Sequence, residues 1–114
     1  MNFLTRKVSF MRSMFLIWSY DIKDKGQEQD VKKWIIDNLH PYLRKIPYFR
    51  SIRTYMRRLG LGREPILQTW IEISSFSVLD KWAHHIQTEE WKEISTIFFS
   101  LTKAFNSTIV YELV

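Results

Sequence analysis

Polar and aromatic side chains alternate with more apolar ones along one predicted strand. In the segment ILQTWIEIS (residues 66–74), Gln68, Trp70 and Glu72 share one face, because successive residues of a strand point to opposite sides of a sheet. Aromatic walls with a few convergent polar groups are typical of small-molecule sites. We therefore predict a ligand-binding face whose candidate residues are Ser19, Arg53, Tyr55, Gln68, Trp70 and Glu72.

The pair Arg53 and Glu72 has two interpretations. A carboxylate on a covered sheet face needs a partner, because burial of an unpaired charge is costly. Arg53 on the neighbouring strand is the natural partner, so a structural ion pair is the first interpretation. The second is a polar anchor beneath an aromatic cavity, where Arg53 would also stabilise negative charge developing on a bound substrate.

The adjacent histidines His84 and His85 are the remaining groups with chemical potential. Neighbouring helical residues point about 100° apart, so the two rings do not readily share one metal ion. The chain has no Cys and 3 His, and no two His are three or four residues apart. We predict no metal site and no cofactor. The simplest interpretation is one half-buried and one solvated ring, and the alternative is that either ring acts as a base or axial ligand. His84 is a candidate ligand-binding residue, which in an enzyme could stabilise developing negative charge in place of Arg53.

Charge is distributed unevenly along the chain. Residues 1–63 carry 14 Lys and Arg against 5 Asp and Glu, whereas residues 64–114 carry 3 against 7, which gives +9 and −4 within the net charge of +5. A basic half can bind a polyanion. Strand alternation, however, sends the arginines to both faces, so nucleic acid is not the favoured partner. The cluster comprises Arg50, Arg53, Arg57, Arg58 and Arg63.

Hydrophobic periodicity predicts four strands and two interrupted helices. The strands lie at 13–23, 48–59, 66–74 and 108–114, and the helices at 27–46 and 77–105. Pro41 should disturb the first helix, because the residue before a proline is biased away from helical backbone. Ser77 with Asp80 forms a predicted capping box, and Thr88 is a second predicted N-cap. A stripe at helical spacing assigns five residues to the core: Trp91, Ile94, Phe98, Leu101 and Phe105.

The order of these elements, β-α-β-β-α-β, predicts an α+β, ferredoxin-like fold. In that fold a four-stranded antiparallel sheet carries both helices on one face, and here the second helix is split. The uncovered face would then expose Tyr55 and Trp70 to water, which is unfavourable. We expect a homodimer in which two such sheets face each other and close an α/β barrel.

Four segments of the chain, together spanning residues 14–114, resemble the dimeric α/β-barrel superfamily. They are the strand-to-helix turn YDIKDKGQEQDVKKW (residues 20–34), Ile46-Pro47, the passage from Trp70 to Trp82, and the terminal strand IVYEL. This superfamily includes stress-responsive barrel proteins, antibiotic-biosynthesis-type monooxygenases and haem-degrading monooxygenases. Haem-degrading members use an Asn on the first strand, which this chain lacks. They also use a Trp nearer the end of the third strand than Trp70, and a His on the second helix, where His84 and His85 lie.

The resemblance implies a small barrel protein, and three functions remain open beside the first. We expect binding of a small apolar or aromatic molecule between the sheet and the dimer partner. The alternatives are a non-catalytic structural or regulatory dimer with a filled barrel, a cofactor-independent or haem-degrading monooxygenase, and a nucleic-acid-binding module.

The organisation of the chain is expected to be simple. Residues 1–12 form a predicted N-terminal extension and residues 13–114 a single domain. No apolar stretch reaches the length of a membrane-spanning helix, and Cys is absent. We expect no membrane partner and a cytoplasmic location.

Overall fold

The computed structural model describes residues 13–58 and 66–113, so the predicted N-terminal extension and residues 59–65, with Arg63 of the predicted basic cluster, lie outside the described residues. Four strands form one sheet in the order β2-β3-β1-β4, and every neighbouring pair is antiparallel. They are β1 (Met14–Ile22), β2 (Ser51–Met56), β3 (Leu67–Ile73) and β4 (Thr102–Tyr111). The predicted sheet is confirmed.

The first helical segment is assembled from pieces that follow one another without a gap. They are a 3-10 turn (Lys25–Gln27), α1 (Glu28–Trp34), a π turn (Ile35–Leu39) and α2 (His40–Arg44). The expectation that His40 avoids helical backbone was wrong, because its φ of −60° and ψ of −50° are helical. The wider π turn immediately before Pro41 alters the local hydrogen-bond pattern and so accommodates a residue that lacks an N–H.

The second helical segment is split, as predicted, into α3 (Val78–His85) and α4 (Glu89–Leu101). Thr88 is the expected N-cap, since its Oγ1 accepts the Trp91 N–H at 3.3 Å. The capping box at Ser77 was wrong. Ser77 has helical backbone and makes no side-chain cap, because its hydroxyl is hydrogen-bonded to the Ser75 hydroxyl at 2.6 Å instead.

Helix α4 ends four residues earlier than the apolar stripe predicted, so Phe105 belongs to β4. The register of β4 against β1 shifts between Ser19 and Asp21, and two residues of β4, Ala104 and Phe105, stand opposite Tyr20. This β-bulge turns the Phe105 ring onto Trp18, at 6.0 Å between ring centroids. Phe105 is nevertheless 39% exposed, which is less burial than the predicted core position implied.

Ala104 is expected to be a strained position, because its φ is +56°. A left-handed conformation costs an L-residue about 1–2 kcal/mol, and glycine avoids this cost at the expense of a more flexible unfolded chain. Ala104→Gly should therefore raise the free energy of unfolding by about 0.5–1 kcal/mol in urea denaturation. The matched control, Ala83→Gly on the exposed side of α3, should lower it by about 1 kcal/mol. A loss of stability in both variants would contradict the strain.

The core lies between the helices and one face of the sheet. Trp18, on the helix side of β1, is 3% exposed and contacts four aromatic rings. Its centroid distances to Trp82, Trp91 and Phe98 are 5.7, 5.9 and 6.3 Å, in addition to the contact with Phe105. Much of the aromatic content therefore fills the core. The rings of Phe15, Tyr55 and Trp70 lie instead on the sheet face that points away from the helices.

Candidate functional site

Six of the seven predicted site residues share the sheet face that points away from the helices, which we call the open face. Directly opposite partners in the ladder lie on the same side of a sheet. Arg53 pairs with Trp70, and Gln68 pairs with Tyr55 on one side and Ser19 on the other. Glu72 follows Trp70 by two residues on β3 and therefore shares its side.

The rings of Phe15, Tyr55 and Trp70 form an aromatic group on the open face. Trp70 meets Phe15 edge to face at 5.2 Å between centroids and Tyr55 at 6.2 Å. Tyr55 is 51% exposed. Such T-shaped pairs are favourable beyond the area that they bury. The Trp70 ring therefore lies between two other rings, whereas one side of the Tyr55 ring is exposed.

Gln68 fixes the orientation of Trp70. The Trp70 indole N–H donates to Gln68 Oε1 at 3.1 Å, and Gln68 Nε2 donates to Ser19 Oγ at 3.3 Å. An indole nitrogen only donates, so this bond also determines which side of the Gln68 amide carries the oxygen. Gln68 and Ser19 therefore serve to position the ring.

Arg53 and Glu72 do not form the predicted ion pair. In the register Arg53 stands opposite Trp70 while Ser51 stands opposite Glu72, so the two charges are diagonal neighbours. Neither forms a salt bridge with any residue between 13 and 58 or between 66 and 113. Among the described residues, then, no ion pair neutralises either charge.

Two clefts open on this face. One, of about 370 Å³, is lined by Ser13, Phe15, Ser51, Arg53, Tyr55, Trp70 and Glu72. The other, of about 270 Å³, is lined by Tyr55, Gln68 and Trp70. Because Tyr55 and Trp70 line both, the two clefts flank one pair of rings.

Comparison with known proteins identifies the architecture. HapK from Hahella chejuensis superposes with a TM-score of 0.70 at 12% identity, covering 88% of this chain and 92% of its own. A dimeric protein of unknown function and ferredoxin-like fold from Bacteroides fragilis gives 0.63 at 12% identity, covering 86% and 94%. This chain has the ferredoxin-like fold. An ethyl tert-butyl ether d (EthD) family protein from Bacillus halodurans gives a TM-score of 0.61 at 20% identity, covering 89% of this chain and 99% of its own.

No family model matches the sequence, and no curated protein matches it.

His84 is the one predicted site residue that the ferredoxin-like fold places elsewhere. It lies on α3, in the helical layer behind the sheet, and its exposed ring bonds the Asp80 carbonyl through Nδ1 at 2.8 Å. His85 is half-buried. Its ring stacks on Trp82 at 5.3 Å between centroids, and its Nε2 is hydrogen-bonded to the Tyr42 hydroxyl at 2.5 Å. Neither histidine reaches the open face.

A buried chain of polar groups crosses the helix side of the ferredoxin-like sheet, and the sequence analysis did not propose it. Tyr20 Oη lies 2.6 Å from Thr69 Oγ1, Thr69 Oγ1 lies 2.9 Å from Thr54 Oγ1, and Thr54 Oγ1 lies 2.6 Å from His40 Nε2. Burial raises the pKa of Tyr20 to about 12, so its hydroxyl stays protonated. The sequence feature that pointed to it was the presence of two threonines, Thr54 and Thr69, at strand positions whose side chains share a face with apolar residues.

His40 makes the fold sensitive to acid. Burial, followed by the charge of Arg44, lowers the pKa of His40 from its ordinary value near 6.5. Below that value the unfolded chain takes up a proton that the folded chain refuses, so stability falls as pH falls. The free energy of unfolding in urea should therefore be lower at pH 5 than at pH 7.5. This part of the pH dependence should vanish in His40→Gln and persist in His84→Gln. Equal pH profiles for His40→Gln and the unsubstituted protein would contradict it.

Residues 13–58 and 66–113 contain neither a metal-binding cluster nor a membrane-spanning helix. Within those ranges no cluster of three or more His, Cys, Asp or Glu side chains has the geometry to hold a metal ion. No helix there has both the length and the apolar character needed to cross a membrane.

Proposed function

We propose that this protein is a homodimer that binds a small apolar or aromatic molecule between the open face of one protomer and that of its partner. In the dimer each chain contributes one ferredoxin-like domain, and the two sheets form the walls of a barrel. The observation that carries the proposal is the cleft of about 370 Å³ beside Trp70, which combines aromatic walls with the charged groups of Arg53 and Glu72.

The dimer is supported by the aromatic surface of the open face, which would be exposed to water in a monomer. Phe15, Tyr55 and Trp70 form one aromatic group on a surface that no helix of the described chain covers. Exposed aromatic groups of this kind mark interaction sites. The structurally similar protein from Bacteroides fragilis is described as dimeric. A second copy supplies a matching aromatic surface without requiring any other partner.

Ligand binding is supported by the size and composition of the clefts. A volume of about 370 Å³ lies within the range of about 300–1,000 Å³ that is common for small-molecule sites. Trp70 and Tyr55 offer ring faces and edges for stacking. Arg53 and Glu72, which lack ion-pair partners among the described residues, can orient a polar substituent. The open face of one chain is only half of the enclosure, so the dimer completes it.

Native mass spectrometry of freshly purified protein tests both parts of the proposal. We expect the mass of a dimer together with a retained small molecule, or a dimer that retains added 1-naphthoate. Arg53→Gln should weaken retention of 1-naphthoate and leave that of naphthalene unchanged, because only the former carries a carboxylate. A monomer at micromolar concentration would overturn the dimer. A dimer that retains neither added compound would overturn the ligand site and leave a barrel filled by its own side chains.

A further inference from the structure

A further cleft lies on the helix side of the sheet, separate from the two clefts of the open face. It has a volume of about 150 Å³ and is lined by Lys32, Ile35, Ile36, Thr54, Met56 and Leu67. The π turn contributes Ile35 and Ile36, the edge strand β2 contributes Thr54 and Met56, and the neighbouring strand β3 contributes Leu67. Single π turns inside helices often occur at functional sites. Here the π turn forms one wall of the cleft.

The cleft is apolar except for one hydroxyl and one paired amine. Lys32 Nζ lies 3.5 Å from Glu28 Oε2, so the positive charge at this position already has a partner. Thr54 is half-buried and carries the remaining polar group, and its neighbours in the cleft are aliphatic side chains and a methionine. A neutral, mostly apolar ligand therefore fits this lining better than an anion.

The buried hydrogen-bond chain determines what Thr54 can offer to a ligand. Either hydroxyl can be the donor in the bond between Tyr20 and Thr69 and in the bond between Thr69 and Thr54. In the arrangement in which Tyr20 donates to Thr69 and Thr69 donates to Thr54, Thr54 is left with its own proton and one further lone pair. When His40 Nε2 accepts the Thr54 proton, Thr54 presents a lone pair to the cleft.

The other hydrogen arrangement presents the opposite group. When His40 Nε2 carries a hydrogen and Thr69 is still the donor to Thr54, His40 also donates to Thr54, whose proton then turns towards the cleft. Thr54 is thus an acceptor in one arrangement and a donor in the other. A carbonyl group on a ligand can satisfy only the second arrangement, whereas a hydroxyl group can donate or accept and satisfies both.

We propose that this cleft is a binding site for a small apolar ring that carries one hydroxyl group, of which phenol is the simplest example. The ring would lie among Ile35, Ile36 and Met56, and its hydroxyl would bond Thr54. A cavity of about 150 Å³ lined by aliphatic side chains is large enough for a benzene ring. The site does not depend on the open face, on a dimer or on Trp70.

The test is a titration with phenol and with toluene, followed by NMR of protein labelled at the Ile and Met methyl groups. Phenol should shift the methyl signals of Ile35, Ile36 and Met56 saturably. Thr54→Val keeps the shape of the side chain and removes the hydroxyl, so it should weaken phenol about tenfold, as expected for one hydrogen bond, and leave toluene unchanged. Thr108→Val, on the open face, should change neither.

A second variant keeps the test informative if Thr54→Val is unstable. Ile36 is 55% exposed, so Ile36→Trp fills the cleft without disturbing the core and should abolish the shifts caused by both compounds. Trp70→Ala should leave them unchanged, which separates this site from the open-face site. The proposal is overturned if phenol and toluene bind equally to the unsubstituted protein, if Ile36→Trp binds phenol normally, or if no methyl signal shifts.

Discussion

Trp18→Ala is expected to lower the free energy of unfolding by about 3–5 kcal/mol, the usual range for removing a buried Trp. Trp18 is 3% exposed and lies at the centre of four aromatic contacts, with Trp82, Trp91, Phe98 and Phe105. These rings come from α3, α4 and β4. Because they belong to three different elements, no single element can move to fill the cavity that Trp18→Ala leaves. Because small domains are stable by only about 5–15 kcal/mol, the variant should lose much of its stability.

Urea denaturation, monitored by far-ultraviolet circular dichroism, measures this loss. Trp18→Phe is the graded control, since it keeps a ring in the same place and should cost less than Trp18→Ala. Trp70→Ala removes the same side chain from a half-buried position with two ring neighbours, and its cost should be under half as large. If Trp18→Ala and Trp70→Ala prove equally destabilising, Trp18 is not the centre of the core.

Trp70→Glu is expected to weaken the dimer about a hundredfold or more. The substitution places a carboxylate among the aromatic rings of the proposed interface, two residues from Glu72 and in both copies at once. An unpaired charge in a buried interface costs several kcal/mol, and each 1.4 kcal/mol is a factor of ten in the dissociation constant. Arg53 stands directly opposite residue 70 and can offset part of this cost.

Sedimentation velocity across a concentration series measures the dissociation constant. The matched control is Ile36→Glu, which introduces the same charge at an exposed position in the helical layer and should leave the dimer intact. Circular dichroism of both variants shows whether the fold is retained. A folded Trp70→Glu variant that dimerises as strongly as the control would show that the open face is not the interface.

Local alternation was sufficient to assign the two faces of the sheet. The assignment of Leu67 and Ile71 to the core and of Gln68 and Trp70 to the open face is confirmed, because a strand residue's side follows directly from its position in the strand. The order of the elements then predicted the fold. Both inferences use information carried by neighbouring residues.

Features that depend on distant residues were predicted less well. The spacing of Phe98, Leu101 and Phe105 fits a helix, yet pairing of β4 with β1 ends α4 at Leu101 and turns Phe105 into a strand residue. The register, which is set by the whole sheet, separates Arg53 from Glu72. Polar contacts across 49 and 14 residues of sequence, from Tyr20 to Thr69 and from Thr54 to His40, were not predicted.

The packing of the indole rings has a spectroscopic consequence. Trp18, Trp82 and Trp91 lie within 4.8 to 5.9 Å of one another, close enough for their electronic transitions to couple. Coupled indoles give strong circular dichroism bands that disappear when the rings separate. Trp70 lies on the other side of the sheet, so its emission should respond separately to a molecule in the cleft. The two sides of the sheet can therefore be followed by different optical signals, without an added label.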